Sequence, residues 1–179
     1  MTFTSLEELG KFLINSQGAF WDDMRIADYG GTENIGDNKI AKLLAEGDLN
    51  NYHMLDFDNG VDLREPIQGE KFDLGICMDL LEHTSNPFLV ARNIIDSLNK
   101  DALLLVTCPF VWELHAYPND FWRFTPNGLQ ELFKDKTMEV ITVYTINDLH
   151  KPPQEELSIP NVSFPWIRVV GIFKKVSNV

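Results

Sequence analysis

Apolar strand-like segments alternate with helical patterns along most of the chain, and this alternation constrains the fold more than any other feature. Strands that alternate with helices predict a parallel sheet with helices on both faces, because each connection must cross back over the sheet. The strand-like segments are residues 24–28, 51–56, 71–80 and 102–108, and the helical patterns are residues 3–13, 35–47, 86–98 and 126–133.

Two further strand-like segments, 138–146 and 166–176, have no helical pattern between them. Their direct connection predicts an antiparallel hairpin at one edge of the sheet. Residues 61–63 form at most a vestigial strand within a turn-rich stretch. The predicted fold is therefore α/β: a doubly wound, mostly parallel sheet of six or seven strands with an antiparallel C-terminal edge hairpin.

Local signals place the starts of two helices. Asn86 has the side chain of an N-cap, and Pro87 suits the first helical position. Thr125 and Pro126 repeat this arrangement before the last helical pattern. The residues predicted to face the core from the first of these helices are Phe88, Ala91, Ile94, Ile95 and Leu98.

Size and charge exclude several classes of protein. A chain of 179 residues suits one domain, and its formal net charge of −12 opposes binding to nucleic acid. The longest apolar stretch is shorter than the roughly 20 residues of a membrane span, and no secretory signal is recognisable. Two widely spaced cysteines suit a reducing cytoplasm. These features favour a cytoplasmic protein that binds a small, neutral or cationic molecule and contacts neither nucleic acid nor membrane.

Ligands of open parallel sheets bind beyond the carboxyl ends of the strands, so the residues that follow the strands are the candidates for a site. They include an acid-and-glycine loop, ADYGGTENIGDNK, and an aromatic and polar loop, PFVWELHAYPNDFWRF. The four candidate stretches are residues 28–36, 56–62, 77–83 and 109–123.

These stretches resemble, in order, the motifs of the class I S-adenosylmethionine-dependent methyltransferases, in particular the small type 11 methyltransferase-domain group. The matching segments are IADYGG, YHMLD, NGVDL, FDLGICMDLLEHTSNP and HAYPNDFWRFTPNGL, within residues 24–135. The chain departs from the family motif acid-x-Gly-x-Gly-x-Gly, because Thr32 and Asn34 replace the later glycines. The helix that normally follows the second strand is also missing.

The resemblance implies a Rossmann-like fold and S-adenosylmethionine as cofactor. It divides the chain into an N-terminal helix (1–23), a cofactor-binding core (24–135) and a C-terminal strand pair (136–179), all within one domain. Backbone amides of the glycine loop would hold the cofactor's carboxylate, and an acid would oppose its ammonium group. The cofactor-binding residues that follow from the resemblance are Asp28, Gly30, Gly31, Thr32, Asp56, Asp62, Met78 and Asp79.

Several of these residues have a structural alternative. The glycine loop is also what a tight turn from strand to helix requires, and Met78 also suits the core. Asp56 is placed to accept hydrogen bonds from both ribose hydroxyls, with Asp58 as the alternative if the strand ends later. Asp62 matches the family acid near the adenine amino group, and a simple turn acid is the alternative.

The remaining candidates concern the methyl acceptor. His115 is a candidate general base, with His83 beside it and Asp120 to orient it. Trp112, Tyr117, Trp122 and Arg123 are candidate substrate-binding residues, although an Asp120–Arg123 pair could instead fix the loop and the aromatic side chains could close a small core.

Three classes of function remain open on the sequence. The first is methyl transfer to an oxygen or nitrogen of a small molecule, the second a degenerate cofactor-binding or partner-binding module, and the third an NAD-dependent oxidoreductase. A metal site would use His83, His115, Glu82 and Asp120. No pair of these residues has the helix-face ligand spacing of a motif such as H-E-x-x-H, so no metal is predicted. The apolar C-terminal hairpin allows pairing across a homodimer.

Overall fold

The computed structural model describes Glu8, Phe12 and residues 24–31, 51–69, 71–115, 119–147 and 167–177. Glu8 and Phe12 are both helical, as the pattern at residues 3–13 predicts. The rest of that helix and the whole of the predicted helix at 35–47 lie outside the described residues. Thr32 and Tyr117, two candidate site residues, also lie outside them.

Six strands form one sheet, as the sequence predicts, in the order β2-β1-β3-β4-β6-β5. The strands β1 to β4 pair in parallel, whereas β6 pairs antiparallel with both β4 and β5. The C-terminal hairpin therefore extends the sheet, and β5 is its outer edge. The bounds are β1 (Ile26–Tyr29), β2 (Tyr52–Leu55), β3 (Phe72–Met78), β4 (Leu98–Val111), β5 (Met138–Asn147) and β6 (Ile167–Lys175).

Residues 61–63 are not a strand, so the sheet has six strands among the described residues. The chain turns sharply here: Val61 N donates to Asp56 O at 2.8 Å, and Gly60 has a φ of 79°. A backbone that bends through a positive φ cannot stay extended along a strand, which explains the absence of a seventh one.

Both faces of the sheet carry apolar side chains. One face packs against the two described α-helices, α1 (Pro87–Asp96) and α2 (Pro126–Leu132), and its cluster includes Ile94 and Leu129. The other face holds Ile76 and Leu105, against which Phe12 packs. This arrangement confirms the predicted α/β sheet. None of the helices in the described part of the chain is long and apolar enough to cross a membrane.

Both predicted helix caps are confirmed. Leu89 N donates to Asn86 Oδ1 at 3.2 Å, and Gly128 N donates to Thr125 Oγ1 at 3.0 Å. Two details of the helix at 86–98 were predicted wrongly. Phe88 is 62% exposed, because it lies about 100° around α1 from the buried Pro87, at the edge of the packed face. Leu98 is buried in β4 instead, where it pairs with Phe72.

Replacing Thr125 by alanine should lower the free energy of unfolding by about 1 kcal/mol, because the N-cap hydrogen bond to Gly128 N is lost. Urea denaturation followed by circular dichroism measures this change. Ser85→Ala, at an exposed bend, is the control and should change the free energy of unfolding by less than about 0.5 kcal/mol. Equal stability of the Thr125→Ala and wild-type proteins would show that the cap contributes nothing.

Candidate active site

The carboxyl ends of β1, β2 and β3 lie side by side. Tyr29 at the end of β1 is in register with Leu55 on one neighbour and Cys77 on the other. Gly30 N continues this contact by donating to Leu55 O at 2.9 Å. β2 lies on one side of β1 and β3 lies on the other, so the order of the strands reverses at β1. This edge is therefore the topological switch point at which open α/β sheets bind ligands. We call it the strand rim.

Asp28 is a buried carboxyl at the strand rim, with a relative exposure of 4%. The Tyr52 hydroxyl donates a short hydrogen bond to its Oδ2. Burial raises the pKa of Asp28, and the nearby charge of Asp56 raises it further, against the lowering effect of the Tyr52 hydrogen bond. A buried acid beside a second carboxylate forms a place where a cationic ligand group is stabilised.

The two adjacent glycines of the acid-and-glycine loop, Gly30 and Gly31, are required by close packing within the chain. Gly30 has a φ of 77°, and a Cβ there would come within 2.8 Å of Leu80 Cδ1. A Cβ on Gly31 would lie 2.5 Å from Asp28 Oδ2. Because these two residues have no side chain, the loop can turn tightly against the Asp28 carboxylate. The same lack of side chains lets the loop backbone lie close to that acid.

Asp56 and Asp62 have different surroundings. Because β2 ends at Leu55, Asp56 is the first residue beyond the strand, where its Oδ1 accepts a hydrogen bond from Asn59 N at 2.7 Å. Asp62 forms an ion pair with Arg64 of 2.7 Å between Oδ2 and Nη2. The hydrogen bonds from Arg64 lower the pKa of Asp62 to about 2. These contacts are those of a turn acid, the alternative raised for Asp62.

Met78 ends β3 and packs against the apolar cluster that also contacts Phe12. Asp79 follows it with a φ of 50° and faces two partners across the sheet. Thr107 Oγ1 donates to its Oδ1 at 3.2 Å, and Arg168 Nη2 lies 2.8 Å from its Oδ2. The Arg168 guanidinium also stacks over the Trp112 ring, 4.9 Å from its centroid. Asp79 therefore links β3, β4 and β6 to the aromatic loop.

Next to Asp79, a short 3-10 helix (Leu81–His83) meets the loop that follows β4. The rings of His83 and His115 meet edge to face, with centroids 4.9 Å apart. Glu82 is fully buried beside them, and its Oε1 lies 3.8 Å from His83 Nε2. Burial raises the pKa of Glu82 to about 8, and the charge of Asp79 adds to the effect. The sequence prediction that the two histidines are neighbours is confirmed.

Asp120 contacts His115: its Oδ2 accepts from His115 N at 2.9 Å and lies 3.3 Å from Nδ1. The same carboxylate is hydrogen-bonded to Arg123, which holds the pKa of Asp120 well below its usual range. Arg123 also donates to the carbonyls of Glu113 and Trp122, at 2.7 Å each. These hydrogen bonds match the structural role considered for Arg123.

Trp122 is 42% exposed, and its Nε1 donates to Thr84 O at 2.8 Å. This bond joins the aromatic loop to the segment after the 3-10 helix. A second bond, from Phe121 N to Glu82 O at 2.7 Å, joins the loop to the 3-10 helix itself. The aromatic loop is therefore held against the segment that contains His83.

Two residues of the site, Tyr52 and Arg168, were missed by the sequence predictions, and Glu82 was considered only as a ligand in the metal alternative or as a cap. Tyr52 contacts Asp28 because β1 and β2 pair, and Arg168 contacts Asp79 because β6 inserts beside β4. The only sequence signal for Glu82 was its place beside His83 after an apolar strand.

Comparison with solved structures identifies the fold. A candidate methyltransferase from Bacillus halodurans C-125 superimposes with a TM-score of 0.62 at 13% identity, over 96% of this chain and 100% of that one. Coclaurine N-methyltransferase, bound to N-methylheliamine and S-adenosylhomocysteine, gives a TM-score of 0.61 at 14% identity, over 95% and 72%. Neither a protein-family profile nor a curated protein sequence matches the chain.

The chain has the fold of the class I methyltransferases, and many of the similar structures are S-adenosylmethionine-dependent methyltransferases. The same fold also occurs in SpnF, a (4+2)-cyclase, with a TM-score of 0.55 and 17% identity over 79% of this chain. The chain spans 60% of the length of that cyclase. A fold shared by transferases and a cyclase leaves the reaction to be argued from the site.

Proposed function

We propose that this chain is an S-adenosylmethionine-dependent methyltransferase that transfers a methyl group to an oxygen or nitrogen of a small molecule. The observation that carries the proposal is the pair of neighbouring acids, Asp28 and Asp56, at the switch point of a methyltransferase-type sheet. S-adenosylmethionine carries an ammonium group and a sulfonium, and both suit an acidic rim in a protein with a net charge of −12.

In this proposal the strand rim holds the cofactor. Asp28 opposes the ammonium group, Asp56 accepts from the ribose diol, and the backbone of the loop at Gly30 and Gly31 approaches the carboxylate. Met78 and Asp79 line the cleft at the end of β3. The roles of Thr32 beside the loop and of Asp62 near the adenine are part of the same proposal.

The histidine pair then serves the methyl acceptor. Methyl transfer is an in-line displacement from a positive sulfur, so the protein supplies alignment and, for a weak nucleophile, a base. The hydrogen bonds of Asp120 fix His115 in place, and His83 lies against it. We assign His115 as the base, with His83 assisting, and Trp112, Tyr117, Trp122 and Arg123 as the walls of the acceptor pocket.

Two further assignments belong to the proposal. Both cysteines are buried free thiols, which suits the cytoplasm. Val140 and Ile141 on the outer strand β5 are each 40% exposed. An outer strand with exposed apolar side chains suits pairing with a second copy, so we include a homodimer in the proposal.

Calorimetric titration tests cofactor binding directly. We expect the protein to bind S-adenosylhomocysteine, and Asp56→Ala to weaken that binding by at least about tenfold, because a charge-assisted hydrogen bond contributes about 1.5–3 kcal/mol. Asp58→Ala is the matched control, because Asp58 is an exposed acid two positions further along the chain. This variant should bind S-adenosylhomocysteine as tightly as the wild type does.

The same titration with NAD separates the three classes of function. Binding of NAD without S-adenosylhomocysteine would favour the oxidoreductase. Absence of affinity for either cofactor would favour a degenerate or partner-binding module. If Asp56→Ala binds S-adenosylhomocysteine as tightly as the wild type, Asp56 is not part of the site. The methyltransferase assignment would then depend only on whether the wild type binds this cofactor.

A further inference from the structure

Three side chains from two segments converge beside the acceptor side of the proposed active site. Glu82 and His83 come from the 3-10 helix, and His115 comes from the loop after β4. One potential ligand atom from each lies within 4.8 Å of the other two. We call these residues the Glu-His-His cluster. A carboxylate and two imidazoles are a ligand set that zinc and related divalent transition metals prefer.

The hydrogen bonds of the two histidines leave a second ring nitrogen available on each. His83 Nδ1 lies 2.6 Å from Asn119 O, and because a carbonyl only accepts, this nitrogen must carry the proton. His115 Nδ1 faces Glu113 O and the carboxylate of Asp120, both at 3.3 Å, so it is also the protonated one. In the neutral rings Nε2 then carries the lone pair, which is the arrangement of metal-bound histidines.

Glu82 supplies a buried carboxyl group without a hydrogen-bonded partner among the described residues. Its carboxyl is fully buried, and neither oxygen accepts a hydrogen bond from the described residues. The two acids near it, Asp79 and Asp120, are instead paired with Arg168 and Arg123. Burying a carboxylate costs free energy unless a hydrogen bond or a cation compensates its charge. A bound cation would supply this compensation for Glu82.

We infer that the Glu-His-His cluster binds one divalent transition-metal ion of the zinc type, with Asp120 as the residue that positions His115. Ligand atoms around such an ion stand about 3–4 Å apart. Glu82 Oε1 and His83 Nε2 are 3.8 Å apart, which is within this range, and all three ligand atoms lie within 4.8 Å of one another. Three protein ligands leave a coordination position for a water or a substrate oxygen, as in catalytic zinc sites.

This inference goes beyond methyl transfer and does not depend on it. A ligated imidazole has no lone pair left to accept a proton. In the metal-loaded protein the ion, rather than His115, would therefore lower the pKa of an acceptor hydroxyl bound to it.

Titration of the whole, untagged chain tests the site. After treatment with a chelator and removal of the chelator, Zn²⁺ alone is added in a calorimeter, and Co²⁺ alone is added while the visible spectrum is recorded. We expect one Zn²⁺ per chain with a Kd of about 1 μM or tighter, and visible Co²⁺ bands typical of nitrogen and oxygen ligands. Glu82→Gln and His115→Ala should each weaken Zn²⁺ binding by at least about tenfold and remove the Co²⁺ bands.

His53→Gln is the matched control, because His53 lies on β2, two strands away from β3, and should bind the ions as the wild type does. No binding by the wild type, or equal binding by wild type and both cluster variants, would overturn the inference. If Glu82→Gln fails to fold by circular dichroism, His115→Ala decides, since its side chain is partly exposed. Titration of the same samples with S-adenosylhomocysteine reports on the proposed function separately.

Discussion

His115→Ala will lower the turnover number for methyl transfer by about 100-fold or more while leaving the affinity for S-adenosylhomocysteine within about twofold. The imidazole lies in the loop after β4, fixed by Asp120 and in contact with His83. In the described part of the chain it is not among the contacts of Asp28 or Asp56, the acids that we assign to the ammonium group and the ribose of the cofactor. The loss is expected whether the imidazole takes the acceptor's proton itself or holds an ion that activates the acceptor.

The measurement is the release of S-adenosylhomocysteine from S-adenosylmethionine with a panel of small hydroxyl and amine acceptors, on which the wild type first identifies a substrate. His53→Gln is the control and should keep the wild-type turnover number. Wild-type turnover in His115→Ala would remove this residue from the mechanism. A parallel loss of cofactor affinity would instead mean that the substitution disturbs the whole site.

Phe173→Ala will lower the free energy of unfolding by about 3–5 kcal/mol, which is a large part of the stability of a domain of this size. Phe173 is fully buried on β6, opposite Leu104 of β4. Its ring packs against Phe133 with centroids 4.9 Å apart, which connects the hairpin to the segment after α2. Truncation leaves a cavity between sheet and helix that the paired strands cannot close.

Denaturant unfolding followed by circular dichroism gives this value. Phe88→Ala removes the same number of atoms from a side chain that is 62% exposed, and it should cost less than half as much. If the two variants lose equal stability, the contact between Phe173 and Phe133 is not what holds the hairpin to the core.

The acceptor-side residues show how far reasoning from a single sequence reaches. That His83 and His115 would be neighbours followed from two adjacent strands, since residues after neighbouring parallel strands meet at one edge. Their orientation did not follow, because it is set by Asn119 O and Asp120, which belong to a loop of irregular backbone. The prediction of no metal rested on the lack of helix-face spacing among His83, His115, Glu82 and Asp120, and this criterion does not apply to ligands that come from separate segments.

The two wrong predictions for α1 also concern features that depend on residues distant in sequence. The helical pattern correctly predicted the start at Asn86 and Pro87, because capping depends on a few consecutive residues. It assigned Phe88 to the core and Leu98 to the helix, although Phe88 is exposed and Leu98 belongs to β4. The strand against which α1 packs determines where the helix ends and which side of the helix is buried.

The sequence by itself determined the order of strands and helices, the parallel core with its C-terminal hairpin, and the strand ends at which acids and histidines would collect. These features follow from local periodicity and from capping, which neighbouring residues decide. Only the tertiary structure decided that Tyr52 bonds Asp28, that Arg168 pairs with Asp79, and that Glu82 is buried beside two histidines. Burial and charge pairing are set by residues distant in sequence, so no local pattern carries them.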